Sequence, residues 1–291
     1  MPSRRQFLSL IGAGVGAAVV PAWTARQAEI NAPLNGPLGL QLWSLREYLP
    51  KDLRGTLMKV RELGFREVEG AGTWKHTASE LRAALDAAGL RCQSAHLGFE
   101  RLNDNPQAAF AEARAVGASW VVCPWIPHEG NAFTRDEAMK AAEAFNTFGK
   151  AAASEGLRFA YHCHGYDFFP SSDGTLFDTL ANATDAKQVL FQIDVFHAYH
   201  GGADPAKLID RYNARVASLH LKDLKKGVEV KTGTATAPAD VDVPVGSGQI
   251  DMAAVLRAAR QGAPKLYYLE DESPDPWTHI PQSVQWLTKH A

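Results

Sequence analysis

The chain has 291 residues, with 30 Lys and Arg against 32 Asp and Glu and a formal net charge of -2. Hydrophobic residues make up 46% and charged residues 21%, a composition that predicts a packed core and excludes an intrinsically disordered chain. Because the chain has no basic excess to neutralise phosphates, nucleic acid is not an expected partner.

The N-terminal segment has the features of an export signal. Arg4 and Arg5 precede an apolar run rich in Gly and Ala over residues 8–20, and small residues follow it. This order is typical of a signal peptide, and paired arginines followed by Phe-Leu are similar to the twin-arginine signal. The run is too short to span a membrane. We therefore predict a twin-arginine-type signal peptide over residues 1–22, a linker over residues 23–37 and a periplasmic or secreted mature protein without a membrane anchor.

From residue 38 onward, eight short apolar runs alternate with amphipathic helical patterns, as expected of successive βα units. The predicted strands cover residues 38–43, 67–69, 92–96, 120–123, 158–162, 189–194, 216–220 and 266–270. The predicted helices include residues 56–63, 79–88, 106–116, 136–154 and 252–260. No GxGxxG motif follows the first strand to support a dinucleotide-binding fold. The sequence predicts an α/β protein with a single (β/α)8 TIM barrel over residues 38–291.

One irregular stretch follows the seventh predicted strand. Residues 225–245 are rich in Thr, Ala, Asp and Gly. Loops at this end of a barrel strand surround the active site. We therefore interpret the stretch as a lid over the catalytic face rather than as a linker between domains.

The three cysteines form neither a disulfide framework nor a zinc ribbon. Cys92, Cys123 and Cys163 are widely spaced, and no CxxC pair occurs. Each lies in an apolar strand pattern, so we expect three small buried side chains. Cys163 lies between two histidines and is the one cysteine that we consider further.

Polar side chains close six of the predicted strands. The carboxyl ends of the strands form the active site of a barrel, so these residues are candidates for chemistry. They are Glu69, His96, His162, His164, Asp194, His197, His220, Glu270 and Glu272. A single polar strand end is commonly structural, but six of them together predict a site.

Two imidazoles and two carboxylates from the last four strands form a candidate metal site. His162, Asp194, His220 and Glu270 would supply two nitrogens and two oxygens to one divalent metal ion. The candidates are Mn, Zn, Co, Fe and Mg, and the nitrogen ligands suit the first four better than the all-oxygen shell typical of Mg and Ca. His164 has the same strand parity as His162, so either can be the ligand. We favour His162 as the ligand. His164 would then either contact a metal ligand from outside the coordination sphere or contact the substrate.

These motifs resemble those of the xylose isomerase-like barrels over nearly the whole chain after the signal. This superfamily includes sugar phosphate isomerases and epimerases, tagatose 3-epimerase-like enzymes, inosose dehydratases and endonuclease IV. The Asp-x-x-His and His-x-Lys-Asp motifs are the more specific ones. The matching segments are GLQLWSLR (39–46), EVE (67–69), SAH (94–96), YHCH (161–164), DVFH (194–197), HLKD (220–223), GSGQID (246–251) and LE (269–270).

The resemblance implies a single divalent metal on the four ligands named above, with His197 and Lys222 in contact with substrate oxygens. In the epimerases of this group, the fifth strand carries a glutamate that acts with the glutamate of the eighth strand on opposite faces of the sugar. This chain has His162 at that position. The Tyr-His-x-His form is closer to the inosose dehydratase-like branch.

The implied function is a divalent-metal-dependent sugar isomerase or epimerase. A metal that polarises a carbonyl acidifies the adjacent C–H, and a base can then remove the proton to give an enediolate. The candidate catalytic residues are Glu270, Glu272, His164 and Glu69. The candidate substrate-binding residues are Trp43, His96, His197 and Lys222.

Three alternatives stay open at this point. The first is a lyase, dehydratase or hydratase that acts on 3-keto-sugars or keto-glycosides by β-elimination, which His162 in place of glutamate favours. An endonuclease IV-like phosphodiesterase would need more metal ligands and a basic groove. A sugar-binding protein without activity would not have an open metal site with basic side chains beside it that are free of metal ligation.

The expected partner is a small-molecule sugar or sugar derivative. No Gly-rich cradle or arginine cluster accompanies Lys222, so we expect a substrate without phosphate. A homo-oligomer fits the sequence as well as a monomer does.

Overall fold

The structure is a computed structural model that describes residues 29–130, 133–233 and 237–291. Eight parallel strands, β1 to β8, form a closed barrel in which each strand pairs with the next along the chain and β8 pairs with β1. This confirms the predicted (β/α)8 barrel. The strands are Leu38–Gln41, Glu67–Gly70, Arg91–His96, Trp120–Cys123, Arg158–His162, Val189–Asp194, Val216–Leu221 and Leu266–Leu269.

Ten α-helices of the described residues, α1 to α10, surround the barrel. They are Leu53–Glu62, Ala78–Ala88, Phe99–Asp104, Pro106–Val116, Arg135–Ser154, Leu176–Ala183, Val195–His200, Pro205–Tyr212, Met252–Gln261 and Pro276–His290. Local sequence sets their ends. In α2, Thr77 and Glu80 form a reciprocal capping box, and Gly89 ends the helix with φ 68.

The first strand is shorter than predicted. β1 ends at Gln41, and Leu42–Leu45 forms a 3-10 turn. Gln41 Oε1 accepts a hydrogen bond from the Trp43 N–H at 3.0 Å, which caps this turn and ends the strand. Trp43 therefore leaves the barrel wall, and its side chain is 44% exposed.

The barrel interior changes from apolar to polar along the strands. Most strand residues are buried and apolar because one face packs in the barrel and the other against helices. Toward the carboxyl ends, a group of buried polar side chains forms one hydrogen-bonded network: Gln41, Glu69, Ser94, Gln192 and Ser218. This network lies next to the candidate site and supports it.

The cysteines are small buried side chains, as expected. Cys92, Cys123 and Cys163 are all buried and free. Burial raises the pKa of the Cys163 thiol well above its usual range. Cys163 is therefore a protonated thiol at neutral pH, without the thiolate that a nucleophile or metal ligand needs.

The loop after β7 folds back on itself. Asp223–Leu224 pairs in antiparallel fashion with Asp242–Val243. The Asp223 carboxylate accepts hydrogen bonds from three backbone N–H groups beyond the loop, those of Gly246, Gly248 and Ile250. Ala237 lines the cavity at the carboxyl ends of the strands, so the predicted lid reaches that face at this residue.

Gly246, at the end of this loop, is a position where an alanine should be costly. Its φ is 87, and a Cβ there would overlap the indole ring of Trp286. We expect Gly246→Ala to lower the free energy of unfolding by about 2–4 kcal/mol, because backbone strain adds to the steric clash. Gly227 is the matched control: its φ is 83, but nothing lies within 4 Å of an added Cβ. Urea denaturation should show only about 1 kcal/mol for Gly227→Ala, and equal losses would contradict the steric explanation.

The predicted signal peptide over residues 1–22 lies outside the described residues, as does the linker up to residue 28. Both stay predictions, and so does export. Within the described ranges, no helix combines the length and apolar character that crossing a bilayer requires.

Candidate active site

A cavity of about 520 Å³ opens at the carboxyl ends of the strands. Seven of the predicted site residues line it: Trp43, His96, His162, His164, His197, Glu270 and Glu272. The other four are buried behind this lining: Glu69, Asp194, His220 and Lys222. The residues that sequence analysis selected from separate strands therefore meet in one place.

His220 is held between two carboxylates. Its Nε2 lies 2.5 Å from Glu69 Oε2, and its Nδ1 lies 2.9 Å from Glu270 Oε2. Burial disfavours the charged imidazole, but the carboxylates of Glu270 and Glu69 outweigh it and raise the pKa of His220 to about 10. One potential ligand atom from each of Asp194, His220 and Glu270 lies within 4.8 Å of the others. These three residues form the first group of potential ligands.

Asp194 has one oxygen with a hydrogen-bond partner and one without. Oδ1 accepts the His197 N–H at 2.8 Å, which caps α7. Oδ2 is buried and has no hydrogen-bond partner. It lies 3.8 Å from His220 Nδ1, 3.9 Å from Lys222 Nζ and 4.0 Å from His162 Nε2. Burial is the main cause that raises the pKa of Asp194 to about 6.

Lys222 balances the carboxylates of the site. Its Nζ lies 2.7 Å from Glu272 Oε1 and 3.5 Å from Glu270 Oε2. Burial disfavours the ammonium, yet Glu270 and the other carboxylates raise the pKa of Lys222 well above its usual value. In Glu270, burial opposes ionisation, but Lys222 and His220 lower the pKa. The Lys222 ammonium is therefore bonded to protein carboxylates behind the cavity lining.

Gln192 fixes the orientation of His162. The Gln192 Nε2 donates to Glu69 Oε1 at 2.8 Å and to Ser218 Oγ at 2.9 Å, so its Oε1 faces the imidazoles. His162 Nδ1 and His96 Nε2 each lie 2.9 Å from that oxygen. His162 Nδ1 donates to it, which leaves Nε2 for the cavity. Sequence analysis missed Gln192, although a glutamine inside an apolar strand was an available signal.

His164 and His197 lie beside His162 in the cavity wall. The ring centroids of His164 and His197 are 4.5 Å apart. Burial is the main cause that lowers the pKa of both imidazoles well below the usual value, so both are neutral. Their Nδ1 atoms are buried without hydrogen-bond partners. His162, His164 and His197 form a second group of potential ligands, and His162 lies within 4.0 Å of Asp194.

Glu69 does not have the surroundings of a catalytic base. Its side chain is fully buried, and it is absent from the cavity lining. Oε1 accepts from Ser94 Oγ at 2.5 Å and from Gln192, and Oε2 accepts from Gln41 Nε2 at 2.7 Å. Burial opposes ionisation, but neighbouring imidazoles lower the pKa of Glu69 well below its usual range. The structure therefore assigns Glu69 to orienting His220 rather than to the proton transfer that we predicted from sequence.

The donor set fits a divalent cation. Asp194, His220, Glu270 and His162 would hold it with two oxygens and two nitrogens, the mixture that Mn, Zn, Co and Fe accept. The buried Asp194 Oδ2 has no hydrogen-bond partner, and the nitrogens nearest to it lie 3.8–4.0 Å away, so it is an acceptor that a bound cation would satisfy. The Nδ1 of His220 faces Asp194 and Glu270, and its Nε2 contacts Glu69. Metal-bound imidazoles commonly bind the metal through one nitrogen and contact a carboxylate through the other.

The fold is thus a closed (β/α)8 barrel whose strand ends bring together imidazoles and carboxylates that could hold a metal ion. Residues 57–290 match the family described as Xylose isomerase-like TIM barrel, and the chain belongs to this family. It is an enzyme of the superfamily that contains sugar isomerases, epimerases and carbohydrate lyases.

Three known proteins illustrate the similarity. Inosose dehydratase from Clostridium perfringens is 25% identical over 245 residues, which cover 73% of this chain and 80% of that protein. A sugar phosphate isomerase/epimerase from Parabacteroides distasonis superposes with a TM-score of 0.73 at 22% identity, over 87% of this chain and 98% of that one. The IolI protein with a bound zinc atom superposes with a TM-score of 0.67 at 14% identity, over 87% and 95%. The two structural similarities show the fold alone.

Proposed function

We propose that the protein is a divalent-cation-dependent isomerase or epimerase that removes a proton next to the carbonyl of a sugar or polyol ketone. The buried Asp194 Oδ2 without a hydrogen-bond partner, near His162, His220 and Glu270, carries this proposal. A bound cation would polarise the substrate carbonyl and acidify the neighbouring C–H. The zinc atom bound in the IolI protein, which has the same fold, supports a divalent cation in this one.

His164 is the group that we assign to proton removal. It lines the cavity, and its neutral imidazole has one unprotonated nitrogen. The other candidates are bonded elsewhere: Glu69 is buried in the network, and Glu270 and Glu272 both contact Lys222. A general base must offer a free lone pair within reach of the substrate. His164 meets that condition among the predicted catalytic residues.

β-Elimination from a 3-keto-sugar or keto-glycoside, by a dehydratase or lyase, is the second candidate. His164 and His197 are adjacent, so the free bases lie on one side of the cavity. Epimerisation by two bases needs groups on opposite faces of the sugar, whereas elimination needs one base and one proton donor for the leaving group. His164, once protonated, would return that proton to a leaving group on the same face of the ring. Similarity to inosose dehydratase also supports this candidate.

Product analysis separates the two candidates. An inosose and a 3-keto-glucoside would each be incubated with the cation-loaded protein, and the products examined by NMR and mass spectrometry. A stereoisomer or positional isomer of unchanged mass supports isomerisation or epimerisation. Loss of water or of the glycosidic substituent supports elimination. Recovery of both ketones unchanged would contradict the proposed function.

His164→Gln should lower the turnover rate by about 100-fold or more. Glutamine keeps a polar side chain of similar reach but cannot accept a proton at neutral pH, and a positioned base typically contributes this much. His290→Gln, at the exposed end of α10, is the control and should retain full activity. Initial rates and bound metal would be measured for both variants. A rate for His164→Gln within about threefold of wild type would remove His164 from this role.

A further inference from the structure

The cavity wall contains two kinds of side chain. The buried part carries imidazoles and a carboxylate, including His162, His197 and Glu270. The more exposed part carries the indoles of Trp43 and Trp125. The volume of about 520 Å³ falls in the range of about 300–1,000 Å³ that accommodates ligands the size of a drug molecule. The cavity thus offers a second, aromatic region beside the reactive one.

Trp43 is exposed, yet it is held on several sides. Its ring centroid lies 6.1 Å from that of Trp74, and the Arg46 guanidinium lies 5.6 Å from the Trp43 centroid. Arg46 Nη1 donates to the Trp43 carbonyl, and Nη2 donates to the Glu272 carbonyl, both at 3.1 Å. These contacts order the indole before any ligand arrives, which reduces the entropy cost of binding to it.

Trp74 packs against Trp43 and has an unfavourable backbone conformation. Trp74 has φ 55 and Lys75 has φ 68, in the left-handed region that bulky side chains seldom adopt. The glycine at position 72 has φ 95, so this loop turns sharply before it reaches Trp74. Strain of this kind persists where the surrounding structure fixes it, and it is concentrated at binding and catalytic sites. The loop after β2 therefore adopts a strained backbone conformation that places the Trp74 indole against Trp43.

The cationic groups next to the cavity are already bonded to protein oxygens, Arg46 to two backbone carbonyls and the others to carboxylates. Arg101 Nη1 and Nη2 lie 2.7 Å and 2.5 Å from the two carboxylate oxygens of Glu112. Lys222 is bonded to Glu272. Of the described lining residues, Arg101 is the guanidinium that a phosphate would need, and Glu112 occupies it. The aromatic region is thus suited to an uncharged ring.

We propose that Trp43 forms a subsite for a second ring and that the substrate is a two-ring glycoside of a keto-sugar rather than a free monosaccharide. The reacting ring would lie against His164 and Glu270, and the ring in glycosidic linkage would stack on Trp43. Both the C–H face of a sugar and an aryl ring stack on an indole. The reacting ring rests on the proposed function, and the attached ring goes beyond it.

Binding of three unreactive probes tests the subsite. Isothermal titration calorimetry would compare methyl β-D-glucopyranoside, phenyl β-D-glucopyranoside and cellobiose on the cation-loaded protein. We expect at least one two-ring probe to bind about five to ten times more tightly than the methyl glucoside. Trp43→Ala should reduce that probe to the affinity of the methyl glucoside. Trp120→Phe, at the amino end of β4, is the control and should retain the difference.

The outcomes are separable. A preference for the phenyl probe identifies an aryl aglycone, and a preference for cellobiose identifies a second sugar. Equal affinities for all three probes, no measurable binding of any of them, or an unchanged preference in Trp43→Ala would overturn the proposal. If the two-ring preference is found but keto-sugars are not turned over, the proposed function fails and the subsite stands.

Discussion

Asp194→Asn is expected to weaken binding of the divalent cation by at least about 100-fold and to remove turnover. Removing a side chain that only orients a metal ligand typically lowers metal affinity 10- to 100-fold. Removing the negative charge of a ligand itself should lower the affinity at least as much. Asparagine can still accept the His197 N–H through Oδ1, so the cap of α7 is kept. The variant therefore removes the charge of Oδ2 and little else. Metal content per chain and steady-state rates measure the two effects.

Asp204→Asn is the matched control for this substitution. Asp204 also caps a helix, α8, and its Oδ1 accepts the N–H groups of Ala206 and Lys207. It lies outside the cavity lining, so Asp204→Asn should keep both the cation and the activity. Full metal loading of Asp194→Asn would show that Asp194 is not a ligand.

Lys222→Met should lower the free energy of unfolding by about 3–5 kcal/mol when cations are chelated. The substitution removes a buried ammonium and leaves Glu270, Glu272 and Asp194 without their compensating charge. A bound divalent cation supplies positive charge to the same carboxylates, so the loss should shrink when the cation is present. Urea denaturation with a chelator and with added Mn²⁺ measures both values.

Lys225→Met is the control for this prediction. Lys225 lies three residues further along the chain, and its side chain is exposed. Its replacement should change stability by less than about 0.5 kcal/mol, as surface substitutions usually do. Two results would contradict the role of Lys222 in balancing the carboxylate charges. One is an equal loss of unfolding free energy in Lys222→Met and Lys225→Met. The other is a loss in Lys222→Met that added cation does not reduce.

Much of this fold could be predicted because the buried parallel strands of a barrel have sequences that are short apolar runs. The bounds of β4, β5 and β6 agree with prediction at both ends. The strand ends also predicted which residues would meet at the cavity, since six polar strand ends together are hard to explain by packing alone. β1 was predicted two residues too long, because the pattern does not reveal that Gln41 caps a 3-10 turn.

The roles of the polar residues were harder to predict than their positions. Glu69 was a candidate base, but its hydrogen-bond partners come from four other strands: Gln41 on β1, Ser94 on β3, Gln192 on β6 and His220 on β7. No local pattern states that these side chains meet. Lys222 likewise was expected to contact substrate, but it bonds to Glu272, because the two residues follow the neighbouring strands β7 and β8. Local sequence places a side chain at a strand end, and the packing around it decides its protonation and its partners.

The most direct test of the active site is cation-dependent exchange of a substrate proton in deuterated water. The purified protein would be stripped of metal, assayed with a keto-sugar by NMR, and assayed again after Mn²⁺ or Zn²⁺ is returned. We expect deuterium at the carbon next to the carbonyl with the cation present, and none without it or in Asp194→Asn. Exchange that is unaffected by chelation, or no exchange in the metal-loaded wild type, would contradict the proposed chemistry.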